Sequence, residues 1–527
     1  MRRLFHAAAL AAGTLALAAL VAAAPVLSAE ARIGVRSETS SIDPHFSYFG
    51  SNKNAASDIF ETLIGRDKDL VLFPALATEW VKVEPTVWDF KLRPGVTWHD
   101  GQPFTADDVL FSFERAANVP NSPAPATQFL TQIVSAEKVD DLTVRIHAAS
   151  ESTQLLLDLA DLFIVSKHAG EGATTEDYNA GKAAIGTGPY KFVSWTPGGT
   201  LSLVRNENYW GEPATFASVD VIAIPNDAGR VAAILSGDVD VIEAVPPDSV
   251  ERLKSASDVT VWTVPDVYTG YLHMVTDRED PPTITAKDGS AIKNPLLNPK
   301  VREALALAID RDAIISRLMF GLGQKASQLS GPTMIGFNPD IPQTPYDPEK
   351  AKALLAEAGY PDGFKMTIAA PNDRYVASAQ IAQAVAQMFE RIGVAMEVET
   401  MPANVFLPKI NAQEYSMFFM GIGSPQGTAW ISLRGVLMTY DKEKGYGLSN
   451  RGRYSNPEVD RLTILALNAP DLDSAAQYAR EAAVVAYSDY PVIPLHYQMN
   501  VWAGRKGFEY VARQDQLTSG YNLHKAD

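Results

Sequence analysis

Hydrophobic and polar positions alternate clearly between Tyr190 and Leu203. Tyr190, Phe192 and Ser194 interleave with Lys191, Val193 and Trp195, a pattern that predicts a strand with two different faces. Thr196-Pro197-Gly198-Gly199 turns the chain, and Leu201 and Leu203 alternate with polar neighbours in a return strand. The chain enters this hairpin through Ala184-Ile185-Gly186-Thr187-Gly188-Pro189, a tight bend whose glycines are expected to use positive φ. It leaves through Arg205-Asn206-Glu207-Asn208-Tyr209-Trp210.

Other stretches are as legible. Trp88, Phe90 and Leu92 alternate with polar residues in a half-buried strand, and Pro94-Gly95 and Asp100-Gly101 are turn pairs. Thr105 is placed to cap a helix with Asp107 and Asp108 in its first turn and an apolar face of Val109, Leu110 and Phe113. Ala31 to Val35 reads as a short strand, and Val219 to Ile242 as strand, helix and strand. In the C-terminal half, Pro299 and Asp347-Pro348 start helices, the second ending at Gly359. Phe364 to Ala369 and Val394 to Thr400 are strands flanking a helix marked by Ile381, Val385, Met388 and Ile392, which implies a parallel sheet. Gly421 to Gly452 is glycine-rich and loop-like; helices follow from Pro457 and Ser474, and Val492 to Trp502 returns as a strand.

Composition narrows the class. At 527 residues the chain divides into two or three domains, and 46% apolar with 20% charged residues is ordinary for a soluble globular protein. Arg2 and Arg3 precede an Ala/Leu run ending in small residues, the order of a signal peptide cleaved after Ala29 or Ala31 rather than a membrane anchor. The net charge of -17 becomes -19 once those two arginines leave, which argues against nucleic acid and anionic membranes as partners. Without cysteine there is no disulfide, no thiolate and no lipid-bearing leader residue, so a free periplasmic protein is expected.

No enzyme constellation is present: the chain lacks His-Glu-x-x-His, a Gly-x-Ser-x-Gly elbow and a Walker loop. Its seven histidines outside the leader are scattered, and His99-Asp100 in a turn reads as structural. No cofactor and no metal are called for. A secreted hydrolase would need a nucleophile–base pair that the sequence does not offer.

Gly186-Thr187-Gly188-Pro189-Tyr190, a strand to Trp195, and Arg205-Asn206 with Tyr209-Trp210 together resemble the signature of the family 5 extracellular solute-binding proteins. These are the dipeptide, oligopeptide and nickel receptors of ABC importers. The run from Leu92 to Arg115, Asp43-Pro44-His45 and Gly237-Asp238-Val239-Asp240 are similar to further family patterns. The resemblance implies an α/β, two-lobed periplasmic-binding-protein fold (class II-like, with a hinge) and an extra domain inserted in the first lobe. The expected division is signal peptide 1–29; lobe I 30–66, 190–278 and 498–527; inserted domain 67–189; and lobe II 279–497. It implies a monomeric receptor that closes around a solute and delivers it to membrane permease subunits.

The implied solute is a peptide or peptide-like molecule, with an anionic one among the candidates; a sugar conjugate or opine is the alternative. Tyr48 and Phe49 follow Asp43-Pro44-His45, where the family lines its cleft, and Tyr268 and Tyr271 lie on a candidate strand. Peptide receptors of the family place an aspartate in a loop that corresponds to Met420–Thr428, yet this loop contains no acid. Ile422 and Ser424 in the loop and Trp430 just past it are candidate contacts, Trp430 as an aromatic wall opposite Tyr48. Arg374 stands where some dipeptide binders carry a carboxylate-binding arginine; a surface pair with Asp373 or a helix-start charge accounts for it equally well.

Overall fold

The computed structural model describes residues 30–48, 50–123 and 126–526. The signal-peptide expectation for 1–29 and the assignment of Phe49 fall outside them.

One mixed sheet of 12 strands runs through both lobes. On the first-lobe side the order is Tyr190–Trp195, Thr200–Arg205, Ser218–Ala223, Glu30–Val35 and Val241–Ile242. It then passes through Val492–Arg505 and Val259–Met274 into Met417–Gly423, Lys365–Pro371 and Ile284–Thr285 of the second lobe. Glu30–Val35 is parallel to both Ser218–Ala223 and Val241–Ile242, as a strand–helix–strand crossover requires. Lys365–Pro371 and Ala395–Met401 are likewise parallel, joined by the helix Ser378–Arg391, which buries Ile381, Val385 and Phe389. The two long central strands pair antiparallel from Val259↔Arg505 to His273↔Val492. They are the connection on which the lobes can hinge, and the boundary expected between 497 and 498 falls inside one of them because that strand serves both lobes.

The inserted domain has its own antiparallel sheet, ordered Ala77–Glu84, Val87–Leu92, Thr143–Ala148, Ile133–Asp140. Against it packs the helix Ala106–Ala117, whose start is fixed by the Thr105 amide donating to Asp108 Oδ2 at 2.9 Å. Trp88, Phe90, Trp98, Phe104 and Phe113 form its core, separate from the lobe I core around Ile33, Tyr190, Leu203 and Phe216. Burial of each such side chain contributes on the order of 1.5–3 kcal/mol, enough for each unit to hold its shape.

The Gly186–Trp210 motif forms the predicted hairpin, but neither Gly186 nor Gly188 adopts positive φ. They are glycines for want of room. A Cβ on Gly186 would lie 1.7 Å from the Ile59 carbonyl oxygen, and one on Gly188 2.7 Å from the carbonyl oxygens of Asp58 and Ile59. The bend presses against the end of the helix Gly50–Ile59 and donates from Gly188 N to Ile59 O at 2.9 Å. Both halves of the motif then converge on one carboxylate. Thr187 Oγ1 and Trp210 Nε1 donate to Glu61 Oε2 at 2.7 and 2.8 Å, and the Tyr209 hydroxyl donates to Oε1 at 2.8 Å. His99 belongs to the same joint: its Nε2 meets Gly188 O at 3.0 Å and its Nδ1 accepts from Gly186 N at 3.2 Å. Asp43 likewise ties lobe I to the insert through two bonds from Arg115, 2.9 and 2.6 Å long.

Candidate functional site

A cavity of about 910 Å³ opens where the two lobes and the inserted domain meet. Lobe I supplies the start of the helix Gly50–Ile59 and the strand residues Gln498–Trp502, the insert supplies Gln128 to Gln132 and the helix Gln154–Leu159, and lobe II supplies Pro425 and Gln426. Its size lies within the range of small-molecule sites.

Tyr268 enters the cavity because the strand carrying it bulges. Between Pro265↔Met499 and Thr269↔Tyr497 the register slips, so Asp266, Val267 and Tyr268 oppose Gln498 alone. Tyr268 is 37% exposed and lines the cavity. Its ring lies over Gly423, where a Cβ would come within 2.9 Å, and the Tyr375 ring lies over Gly421 at 2.7 Å. The glycines of the loop that lacks an acid therefore make room for two tyrosine rings. Burial pushes the Tyr268 hydroxyl above its ordinary value, with Arg374 and Arg36 acting against the rise.

Tyr48 lines the same cavity, edge-on to Phe129 at 4.4 Å, and its hydroxyl donates to Asp161 Oδ1. Trp430 does not face it. That side chain is 2% exposed and packs with Leu433, Val436 and Leu437, which shows a short helix, Ala429–Ser432, and a wider turn, Leu433–Leu437, inside the stretch expected to be loop. Apolar residues three and four apart drive that coiling and turn the indole inward. Tyr271, 1% exposed, is also core and does not line the cavity. Ser424 is spent on its own loop, donating to Thr428 O at 2.8 Å and accepting from Thr428 N at 3.1 Å. Ile422 packs against the lobe II core, and the next residues, Pro425 and Gln426, line the cavity instead.

Arg374 is exposed and outside the lining, its Nε donating to the Tyr375 hydroxyl at 3.1 Å. Asp373 does not pair with it; that carboxylate accepts from Ala403 N at 2.8 Å. The arginines that reach the cavity are Arg36 and Arg434, and among the described residues neither forms an ion pair.

The insert contributes a buried charge cluster that the sequence reading missed. Asp161 accepts from Lys53 Nζ at 3.1 Å and Arg66 Nη1 at 2.8 Å, besides Tyr48. Burial opposes its ionisation, but Arg66 and Lys53 hold it well below the usual carboxylate range. Gln426 bridges lobe II to the insert: its Nε2 donates to Asp158 Oδ1 at 3.1 Å while its Oε1 accepts from Gln154 Nε2 at 2.9 Å. The only signal in the sequence is the run Leu155-Leu156-Leu157-Asp158-Leu159-Ala160-Asp161-Leu162, where two acids interrupt apolar residues. Among the described residues no group of three or more His, Cys, Asp or Glu side chains is placed to hold a metal ion.

A hinged pair of lobes enclosing a polar, aromatic-lined cavity defines a receptor that captures a small solute. Residues 71–443 match the family described as bacterial extracellular solute-binding proteins, family 5 Middle, and the chain belongs to that family. It is 28% identical over 500 residues to the glutathione-binding protein GsiB of Pectobacterium atrosepticum, covering 93% of this chain and 92% of that one. It is 28% identical over 448 residues to the dipeptide-binding protein of Escherichia coli, covering 80% of each. Among solved structures it is similar to the ABC transporter-associated periplasmic binding protein DppA from Helicobacter pylori in complex with the peptide STSA. That match has a TM-score of 0.72 at 26% identity and covers 94% of this chain and 98% of the other. Members of the family are non-enzymatic receptors that bind small molecules or peptides and work with ABC permeases.

Proposed function

We propose that the protein is the periplasmic receptor of an ABC importer for a peptide or peptide-like solute bearing an acidic group. The observation that carries this reading is the cavity wall, which holds Arg36 and Arg434, neither in an ion pair among the described residues, together with the Tyr268 and Phe129 rings. Guanidinium forks suit carboxylates, and the rings suit the body of a short peptide. That relatives are named for glutathione and dipeptides supports the same class. Tyr48 and Tyr268 contact the solute in this reading, and Arg374 stands at the rim.

Lobe I is assigned to 30–66, 190–278 and 498–527, the insert to 67–189 and lobe II to 279–497. The leader 1–29 directs export, the mature protein is a monomer, and the closed form docks on the permease. Among the described residues no helix is long and apolar enough to cross a membrane.

Small-angle scattering and thermal unfolding of the mature protein, with and without a panel of dipeptides, tripeptides and glutathione, test the reading. A binding solute reduces the radius of gyration and raises the Tm, because only the closed state is stabilised. A panel that changes neither quantity rejects it.

A further inference from the structure

Two tyrosine rings lie on the strand Met417–Gly423, and they differ in one respect. Tyr375 covers Gly421 and does not line the cavity, whereas Tyr268 covers Gly423 and does. Tyr268 and Gly423 are direct partners in the antiparallel ladder. Neither glycine has positive φ, so the backbone accepts any L-residue at both positions. Space alone accounts for them. A Cβ on Gly423 would lie 2.9, 3.0 and 3.0 Å from Cζ, Cε1 and Cε2 of Tyr268. Near-equal distances to three neighbouring ring carbons put Gly423 beneath the face of the ring rather than at its edge. Carbon atoms in ordinary contact are about 3.5–4.0 Å apart, so a methyl there lifts the ring by roughly 0.5–1 Å.

We propose that Gly423 is a positioning residue: it seats the Tyr268 ring against the strand and so sets how large a side chain the solute can place in the cavity. The proposal rests on reading the cavity as the solute site and Tyr268 as a solute contact. With the ring seated, the cavity holds about 910 Å³, room for a short peptide that carries a bulky apolar side chain. A lifted ring takes that room away, and large side chains lose it first.

A ring laid across a glycine on the neighbouring strand is also a plain packing device of sheets. Gly421 and Tyr375 supply that case on the same strand, two residues away. Alanine at either glycine disturbs a ring, but only Gly423→Ala disturbs one that lines the cavity. Packing alone predicts that both variants lose stability and neither changes which solutes are taken.

A tripeptide library graded in side-chain size, from Gly and Ala up to Leu, Phe and Trp, is offered to wild type, Gly421→Ala, Gly423→Ala, Tyr268→Ala and the double variant Gly423→Ala with Tyr268→Ala. Captured peptides are counted by mass spectrometry. Gly423→Ala is expected to cut the capture of Leu, Phe and Trp peptides relative to Gly and Ala peptides by roughly tenfold, and Gly421→Ala to keep the wild-type profile. Tyr268→Ala captures less in total but shifts toward larger side chains, and the double variant matches it, because without the ring the added methyl meets nothing. An unchanged size profile in Gly423→Ala, an equal shift in Gly421→Ala, or a double variant that still favours small side chains overturns the proposal. If Gly423→Ala does not fold, Tyr268→Ala decides, and a profile not shifted toward larger side chains overturns it. A library from which wild type captures nothing rejects the peptide reading and this proposal with it.

Discussion

Removing the carboxylate of Asp161 should cost the protein far more than removing a surface acid. The Asp161 and Arg66 side chains are 2% and 3% exposed, 2.8 Å apart. Lys53, 17% exposed and 3.1 Å away, can turn to water, but Arg66 cannot. In Asp161→Ala the guanidinium keeps only the Leu157 carbonyl as a hydrogen-bond partner, 3.2 Å from Nη2, and stays buried with no carboxylate in direct contact, Asp515 and Asp158 acting on it only through space. Breaking such a pair typically costs about 3–5 kcal/mol, whereas an exposed pair is worth roughly 0–1. Arg66→Met together with Asp161→Ala replaces the stranded charge with an apolar chain and should recover at least about 2 kcal/mol of that loss. Urea unfolding followed by tryptophan fluorescence at neutral pH measures both variants. Because the folded-state pKa of Asp161 is depressed below its ordinary 3.8, its contribution is complete above that pH and is lost only as pH falls further. A loss under about 1 kcal/mol in Asp161→Ala, or a double variant no more stable than the single, would refute the reasoning.

Three further outcomes are expected. Gly186→Ala should destabilise by about 3 kcal/mol or prevent folding, because its Cβ meets the Ile59 carbonyl oxygen at 1.7 Å; Gly435→Ala, with no atom within 4 Å and no positive φ, is the matched control in the same unfolding assay. Burial lifts Glu61 from 4.5 to about 7, so the folded chain holds that proton across the interval where the unfolded chain has released it, and its contribution to stability declines as pH rises through the window. Glu61→Gln escapes the decline, and its Tm relative to wild type should climb between about pH 5 and 8; a constant difference contradicts the assignment. Arg36→Ala and Arg434→Ala should each weaken the co-purifying solute by roughly tenfold in calorimetry, and Arg374→Ala, exposed at the rim, by less.

Much of the fold was legible because local rules and tertiary packing agree. The hairpin 190–205, the helix Ala106–Ala117 and the parallel pair 365–371 and 395–401 follow from alternation, caps and breakers. The glycines of the signature were misread for a physical reason. Their close approach to Ile59 involves a helix more than a hundred residues away, and a sequence shows a glycine without showing what presses on it. Trp430 was misplaced because a glycine-rich context masked the apolar spacing of Trp430, Leu433 and Val436. The cavity was only partly legible. Tyr48 and Tyr268 could be picked out as aromatic residues near family motifs, but the bulge that aims Tyr268 depends on its pairing with Val492–Arg505. Asp158 and Asp161 acquire meaning only through Gln426, Arg66 and Lys53, which come from three other parts of the chain.

In the proposed reading, the cavity between the lobes captures one solute molecule. Native mass spectrometry of the mature protein purified gently from periplasm, followed by denaturation and identification of whatever is released, tests it most directly. A single adduct at one-to-one stoichiometry is expected, peptide-like and bearing an acidic group, and depleted in Tyr268→Ala. Protein that carries no adduct and gains none from a peptide mixture, or an adduct that Tyr268→Ala leaves unchanged, would contradict it.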